Sequence, residues 1–138
     1  MNAVAALTDD QRKHLDFIQA VIARMSSSSS TVKGWGLTVS MAAFGISANE
    51  AEPAIAVLGL VTVVFFGVLD AHYLRQEKLF RRLYDEARQG LIEVYSMDKD
   101  RYSDTCPLRR VITSWSVAGF YGPLLAVGAG AYLWALCG

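Results

Sequence analysis

The longest uncharged apolar stretch of the chain predicts a helix that starts in a hydrophobic environment and ends in water. Residues 54–69 (AIAVLGLVTVVFFGVL) carry no charge, and extending the run to Leu74 gives about the 20 residues that ~30 Å of hydrocarbon requires. No proline interrupts the chain between Ala54 and Val94, so the helix is expected to continue through the charged residues that follow. The pattern predicts a transmembrane segment at 53–74 and a cytoplasmic helical extension at 75–95.

The helical extension carries an apolar stripe that requires a partner helix. From Phe66 to Val94 the stripe positions alternate four and three residues apart, which is the spacing of a coiled-coil interface. We call four of these positions the partner seam: Tyr73, Phe80, Tyr84 and Leu91.

A second, amphipathic helix is predicted near the N-terminus, at residues 9–30. Thr8 and Gln11 have the spacing of a capping box at a helix start. The apolar residues that follow recur at helical spacing: Leu15, Ile18, Val21, Ile22 and Met25. Such a helix either lies on lipid headgroups or packs on the partner seam, and we favour the seam because it needs an apolar partner on the same side of the membrane.

Five serines and a short apolar run separate these two predicted helices. Composition alone would make Ser26–Ser30 a flexible linker, whereas small residues at every fourth position from Ser26 to Ala42 indicate a continuous helix with a close-packing face. The apolar run 34–48 is the predicted first transmembrane segment. It is short for a span, so a re-entrant segment is the alternative.

The last third of the chain predicts a polar loop followed by a third transmembrane segment. Loop 96–110 contains several aspartates but lacks the glycine and the terminal glutamate of an EF-hand, which favours a solvated loop over a calcium site. Segment 111–136 is apolar, and Pro123 is expected to kink it. Small residues on all three segments predict close helix packing at Gly34, Thr38, Gly59, Gly67, Ala118, Gly122, Ala126 and Gly130.

Composition and charge distribution agree with an all-α integral membrane protein that forms one domain over residues 1–138. The chain is 53% hydrophobic and 19% charged, with a mean hydropathy of +0.28. All Lys and Arg residues lie before Gly34 or between Arg75 and Arg110. By the positive-inside rule, the N-terminus and residues 75–110 are cytoplasmic, and the 49–53 turn and the C-terminus lie outside. No basic face for nucleic acid and no cleaved signal peptide are predicted.

The histidines and cysteines of the chain do not form a catalytic pattern. His14 and His72 stand apart, and Cys106 and Cys137 fall on opposite sides of the predicted membrane. We therefore predict no enzymatic activity, no metal site and no cofactor.

The informative charges lie at the predicted membrane edge. Asp70 follows a long uncharged run, and a carboxylate so placed is expected to be paired, with Lys33 as the partner; the alternative is that Asp70 reaches headgroup water. A functional alternative is a gate, in which Asp70 and Glu77 from several subunits form acidic rings that favour cations. The basic residues Arg81, Arg82 and Arg88 are candidates for contact with anionic headgroups or an acidic partner.

Three segments of the chain resemble small bacterial membrane proteins and the SLATT class of membrane effectors. They are residues 14–24 (HLDFIQAVIAR), 33–35 (KGW) and 69–88 (LDAHYLRQEKLFRRLYDEAR). In the SLATT class, two transmembrane helices and an adjoining cytoplasmic helix are proposed to perturb membranes in antiviral and conflict systems. The resemblance covers residues 12–88, including Asp70, Tyr73 and Arg75, and implies no role for any single position. The third segment departs from the pattern, and no nucleotide-sensing domain is attached, so the trigger would come from another polypeptide.

Three functions follow as hypotheses. The first is a non-enzymatic homo-oligomeric pore or membrane-depolarising effector that is controlled from the cytoplasmic side, with a role in antiphage defence. The second is a structural membrane adaptor that docks a soluble cytoplasmic protein without conducting ions. A small proton-coupled exporter is disfavoured because it would need a carboxylate near the middle of the bilayer.

Overall fold

The computed structural model describes residues 6–138, and this part of the chain is all-helical, with no strand, as predicted. Three long helices dominate: α1 (Asp9–Glu50), α2 (Pro53–Arg88) and α4 (Trp115–Cys137). Between α2 and α4 lie a short 3-10 helix (Asp100–Thr105) and the five-residue helix α3 (Leu108–Ile112).

Helix α1 is continuous through the serine run. The capping box forms as predicted: Thr8 Oγ1 accepts from the Gln11 amide at 3.2 Å, and Gln11 Oε1 accepts from the Thr8 amide at 2.9 Å. The helix has 42 residues, a length of about 63 Å at 1.5 Å per residue. The linker interpretation of Ser26–Ser30 is therefore wrong, and residues 9–30 and 34–48 belong to one helix.

A two-residue turn folds α2 back along α1. Ala51 adopts a left-handed conformation with φ of 51°, and the Ser47 hydroxyl donates to the Glu52 carbonyl at 2.8 Å. Further along the hairpin, a Cβ atom at Gly59 would lie 2.5 Å from Phe44 Cε1, so this glycine is required for the close approach of α1 and α2.

Helix α4 packs against both arms of this hairpin. A Cβ atom at Gly128 would lie 2.5 Å from both Leu60 Cδ2 and Phe44 Cζ, and the Tyr121 ring packs on Gly36 and Gly67. These pairings make α4 antiparallel to α2.

The buried face of α4 is not the predicted one. Its buried residues are Val117, Tyr121, Leu124, Gly128 and Ala135, whereas the predicted packing positions are exposed: Ala118, Gly122, Ala126 and Gly130. Gly34 and Thr38 of α1 are likewise exposed. Gly59 and Gly67 are predicted packing positions, and each lies against a ring of a facing helix, Phe44 and Tyr121 respectively. Gly36 and Gly128, which were not predicted, do the same with Phe66 and Phe44.

The third predicted segment is also interrupted at its start. α3 ends at Ile112, and Ser114 takes an extended conformation as the N-cap of α4, which begins at Trp115. The segment 111–136 is thus two helices, with Arg109 and Arg110 on the short one.

Among the described residues, two helices rather than the predicted three are long and apolar enough to cross a membrane, and they are α2 and α4. α1 does not meet this criterion because its apolar run, 34–48, is short and flanked by polar residues. We call residues 34–74 with α4 the apolar half of the molecule, and residues 9–33 with 75–112 the polar half.

In the polar half, the amphipathic start of α1 packs on the extension of α2. Leu15 and Ile18 share one core cluster with Leu79, Phe80 and Leu83, and Ile18 and Leu83 are fully buried. The preference for the partner seam over a position on headgroups therefore agrees with the structure.

The extension of α2 is shorter than predicted. It ends at Arg88 rather than near residue 95, and Gly90, with φ of +70°, follows. The Leu91 amide donates back to the Glu86 carbonyl at 3.0 Å, an αL helix ending that glycine favours. Leu91 is consequently 65% exposed and does not belong to the seam.

Candidate functional site

A buried ion pair lies where α1 and α2 cross at the border of the two halves. Asp70 on α2 exposes none of its surface. One carboxylate oxygen accepts a hydrogen bond from the Ser29 hydroxyl, and the other is paired with the Lys33 ammonium. The Lys33 ammonium also lies 3.3 Å from Ser29 Oγ. Lys33, the partner expected from the sequence, thus neutralises Asp70, and the headgroup-water alternative does not apply to a side chain with no exposed surface.

The helical repeat brings the α1 members of this site together. Ser29 and Lys33 are four residues apart, so they project from the same face of α1. The predicted close-packing register used Ser26 and Ser30 and therefore missed Ser29. The sequence signal that could have found it is its spacing of four residues from Lys33, the predicted partner of Asp70.

Helix α4 completes the site with two aromatic residues. The Phe120 ring centroid lies 5.9 Å from Lys33 Nζ, within the range of a cation–π contact. The Tyr121 hydroxyl is buried beside Asp70 and has no partner at normal hydrogen-bond geometry. All three long helices therefore meet at this ion pair.

The attraction between Asp70 and Lys33 helps to hold α1 in its position on α2. Both oxygens of Asp70 have partners, which offsets the cost of removing the charge from water. The Lys33 side chain remains 21% exposed, so its end of the pair is accessible from the surface. An acidic ring of Asp70 side chains would require the carboxylate to leave Ser29 and Lys33 first.

Glu77 is a separate site on the same helix. Its Oε1 atom accepts hydrogen bonds from Arg81 Nε at 2.9 Å and from Arg81 Nη2 at 2.6 Å. Glu77 and Asp70 are seven residues apart, about 10 Å along the helix axis, and the structure does not bring them into one cluster. Of the three predicted headgroup contacts, Arg81 is engaged by Glu77, while Arg82 and Arg88 are exposed and form no salt bridge within residues 6–138.

The connection from α2 to α4 is fastened to α2 by polar contacts that the sequence did not indicate. Arg75 Nε donates to the Cys106 carbonyl at 2.8 Å, and its Nη2 atom donates to the Ser103 carbonyl at 3.3 Å. The Tyr102 hydroxyl donates to Glu86 Oε2 at 2.6 Å. Burial, together with this hydrogen bond, raises the pKa of Tyr102 to about 12.

The same connection is fastened to the start of α1. His14 Nε2 lies 2.7 Å from the Ser96 carbonyl oxygen, so this ring is occupied by a structural contact. The Tyr95 hydroxyl donates to Asp10 Oδ1 at 2.9 Å, and this hydrogen bond raises the pKa of Tyr95. In residues 6–138 no group of three His, Cys, Asp or Glu side chains could hold a metal ion.

The remaining partner-seam residues of α2 differ in exposure. Phe80 is buried, whereas Tyr73 and Tyr84 are partly exposed. Tyr84 lines an open groove of about 530 Å³ between the polar parts of α1 and α2, together with Gln19, Ile22, Ala23, Ser26, Arg81 and Asp85. At this groove the Tyr84 position of the seam remains accessible.

No protein-family model matches the chain, and neither a curated protein nor a solved structure shows a significant match to it.

Proposed function

We propose that this protein is a non-enzymatic, homo-oligomeric protein of the bacterial inner membrane that forms a pore or depolarises the membrane under control from the cytoplasmic side. The observation that carries the proposal is the exposed apolar surface of the apolar half. On α2 alone the large exposed side chains are Val57, Leu58, Val61, Val64, Phe65 and Val68. Soluble monomers rarely expose so large a continuous apolar surface, and lipid is its natural solvent.

The positions of two exposed tryptophans agree with a membrane-spanning α4. Trp115 and Trp134 are 89% and 68% exposed at the two ends of α4. They are 19 residues apart, about 28 Å along a helix axis, which is close to the ~30 Å of bilayer hydrocarbon. Indole rings favour the two membrane interfaces.

Three spans are proposed, although two helices within residues 6–138 meet the apolar-length criterion. Residues 34–48 of α1 pack directly beside the apolar part of α2, as the contacts of Phe44 with Gly59 and of Gly36 with Phe66 show. If α2 crosses the bilayer, this part of α1 crosses at the same depth. Its exposed face is apolar as well: Trp35, Leu37, Val39, Met41 and Ile46.

Self-association is supported by the small residues that the single chain leaves uncovered. A Cβ atom at Gly34, Gly122 or Gly130 would meet nothing within 4 Å, and such faces allow helices of neighbouring copies to approach closely. Three helices packed on one another enclose no pore, so conduction would require several copies around an axis.

Control from the cytoplasmic side is proposed to act through the Asp70–Lys33 pair. The pair joins α1 to α2 at the point where the polar half meets the apolar half, so a partner that displaces the start of α1 would strain it. The resemblance of residues 12–88 to the SLATT class supports a role as an effector in antiphage defence, with the trigger supplied by another polypeptide.

Conductance is the direct test. Purified protein in planar bilayers is expected to give cation-selective steps, and Asp70→Asn is expected to alter their gating or selectivity. The matched control is Asp85→Asn, which removes an exposed carboxylate of the same helix. Absence of conductance at any protein density would contradict the pore, and unchanged behaviour of Asp70→Asn would remove Asp70 from the gate.

A structural adaptor is the second candidate, and the open groove beside Tyr84 favours it. An amphipathic helix of a soluble cytoplasmic protein would fit a groove that presents Ile22, Tyr84 and the charges of Arg81 and Asp85. A protein that binds such a partner but conducts no ions would establish this function instead.

A further inference from the structure

A buried hydroxyl group without a partner lies next to the Asp70–Lys33 pair. It belongs to Tyr121 of α4, a residue that is 5% exposed, and it makes no hydrogen bond within residues 6–138. A buried hydroxyl that forms no hydrogen bond destabilises a fold, and phenylalanine would fill the same space without that cost. This arrangement of the helices therefore does not explain the hydroxyl of Tyr121.

The packing of the Tyr121 ring places this hydroxyl within reach of the Asp70 carboxylate. A Cβ atom at Gly67 would lie 3.4 Å from Tyr121 Cγ, and one at Gly36 would lie 3.6 Å from Tyr121 Cε1. Gly67 is one helical turn from Asp70 on α2, and Gly36 is one turn from Lys33 on α1. The ring is thus held on both helices that carry the pair, and its hydroxyl lies beside Asp70.

The donors that Asp70 uses in this structure both come from α1. Ser29 and Lys33 are four residues apart on that helix, and they engage the two carboxylate oxygens. A movement of α1 away from α2 would therefore withdraw both donors together. Tyr121 belongs to α4, which packs on α2 at Gly67, so its hydroxyl would remain beside the carboxylate.

We propose that Tyr121 is a positioning residue, whose hydroxyl donates a hydrogen bond to the Asp70 carboxylate when α1 withdraws its two donors. The proposal rests on the control through the Asp70–Lys33 pair proposed above. A buried carboxylate without any donor is strongly disfavoured, so this bond lowers the free energy of the displaced state. The two states differ in which helix satisfies Asp70: α1 in the resting state and α4 in the displaced state.

A double-mutant cycle on the full chain in detergent micelles tests the proposal. With Lys33 present, Tyr121→Phe is expected to leave the unfolding equilibrium constant unchanged or to lower it, because the hydroxyl has no bond to lose. Lys33→Met frees one carboxylate oxygen, to which Tyr121 then donates. In that background Tyr121→Phe is expected to raise the unfolding constant about tenfold, as for one hydrogen bond to a charged group. Equal effects in the two backgrounds would overturn the proposal.

Tyr102→Phe is the control for the loss of a tyrosine hydroxyl. The Tyr102 hydroxyl donates to Glu86, away from the pair, so its effect is expected to agree in the two backgrounds within about twofold. Ser29→Ala takes the place of Lys33→Met if that variant does not fold, because it also removes an α1 donor but keeps the counter-charge. Tyr121→Phe is expected to raise the unfolding constant roughly fivefold in this background, and no increase there would then overturn the proposal.

Single-channel recordings in planar bilayers separate this inference from the pore. Tyr121→Phe is expected to lower the open probability several-fold, because the displaced state loses its donor, and to leave the conductance of the open channel unchanged. Coupling in the mutant cycle without any conductance would contradict the pore alone. A conducting protein without that coupling, or with an unchanged open probability, would contradict this inference alone.

Discussion

Two ion pairs on α2, seven residues apart, show how the same chemistry takes different roles. Asp70 is completely buried and its partner Lys33 comes from another helix. Glu77 is bound by Arg81 of its own helix, and the Arg81 side chain is 61% exposed. The first pair fixes one helix against another in a medium of low dielectric. The second joins a mostly buried carboxylate, since the Glu77 side chain is 12% exposed, to an exposed guanidinium within one helix, so water screens it more. Location between helices, rather than residue type, sets the energetic weight of each pair.

Removal of the buried cation is expected to have the largest effect. Lys33→Met leaves the Asp70 carboxylate buried without a counter-charge and should lower the free energy of unfolding by about 3–5 kcal/mol. Unfolding of the purified protein in detergent micelles measures it. The double variant Lys33→Met/Asp70→Leu should recover part of this loss, because no buried charge then remains. A loss below about 1 kcal/mol in the single variant would place the pair among exposed salt bridges.

The contrast between buried and exposed positions extends to the glycines. Gly59→Ala places a Cβ atom 2.5 Å from Phe44 Cε1 and should cost about 1–3 kcal/mol through overpacking. Gly122→Ala, at a position with nothing within 4 Å, is the control. It should leave the free energy of unfolding of the single chain unchanged or slightly raised, because alanine favours the helix. Equal destabilisation by both variants would contradict the assigned orientation of these helices.

The hydrogen bond between Tyr102 and Glu86 should contribute about 1 kcal/mol, so Tyr102→Phe should lose that amount at neutral pH. The pKa of Tyr102 is raised from 10.0 to about 12 in the folded protein. Its contribution is therefore complete below pH 10 and is lost as the pH rises to 12. Unfolding of both proteins between pH 8 and 12 checks this, and the variant should show a weaker decline over that range. Identical pH profiles would exclude a role for this phenol.

The smallest effect is expected at the pair within one helix. Arg81→Met should lower the free energy of unfolding by about 0.5–1 kcal/mol. The loss stays small because the Arg81 end of the pair is exposed and the Glu77 side chain, 12% exposed, keeps some access to water. The same micelle measurement allows direct comparison with Lys33→Met. If Arg81→Met proved as damaging as Lys33→Met, the distinction between the two pairs would be lost.

The structure could be predicted from the sequence where the residue pattern identifies one face or one end of a helix. The capping box, the helix through the serines and the packing of the amphipathic start of α1 on α2 all rest on local spacing or on a clear polar face. The Asp70–Lys33 pair followed from a charge next to an apolar run, which has few ways to be satisfied.

The structure could not be predicted where a helix is apolar on every face. α4 is apolar around its whole circumference, so its sequence does not determine which face turns inward, and the fit of the Tyr121 ring against Gly36 and Gly67 decides the rotation. Ser29 was missed because the close-packing register pointed to Ser26 and Ser30. Arg75 was missed because its partners are the backbone carbonyls of Cys106 and Ser103, which side-chain patterns do not reveal. The end of α2 was placed too late because the apolar stripe outweighed Gly90, whose positive φ ends the helical region.

The most direct test of the proposed oligomeric pore is the stoichiometry of the particle in lipid nanodiscs, measured by native mass or by direct imaging. We expect a ring of four or more copies with an axial path. A monomer, or a dimer without such a path, would contradict the pore and leave a membrane adaptor that docks its partner at the groove beside Tyr84.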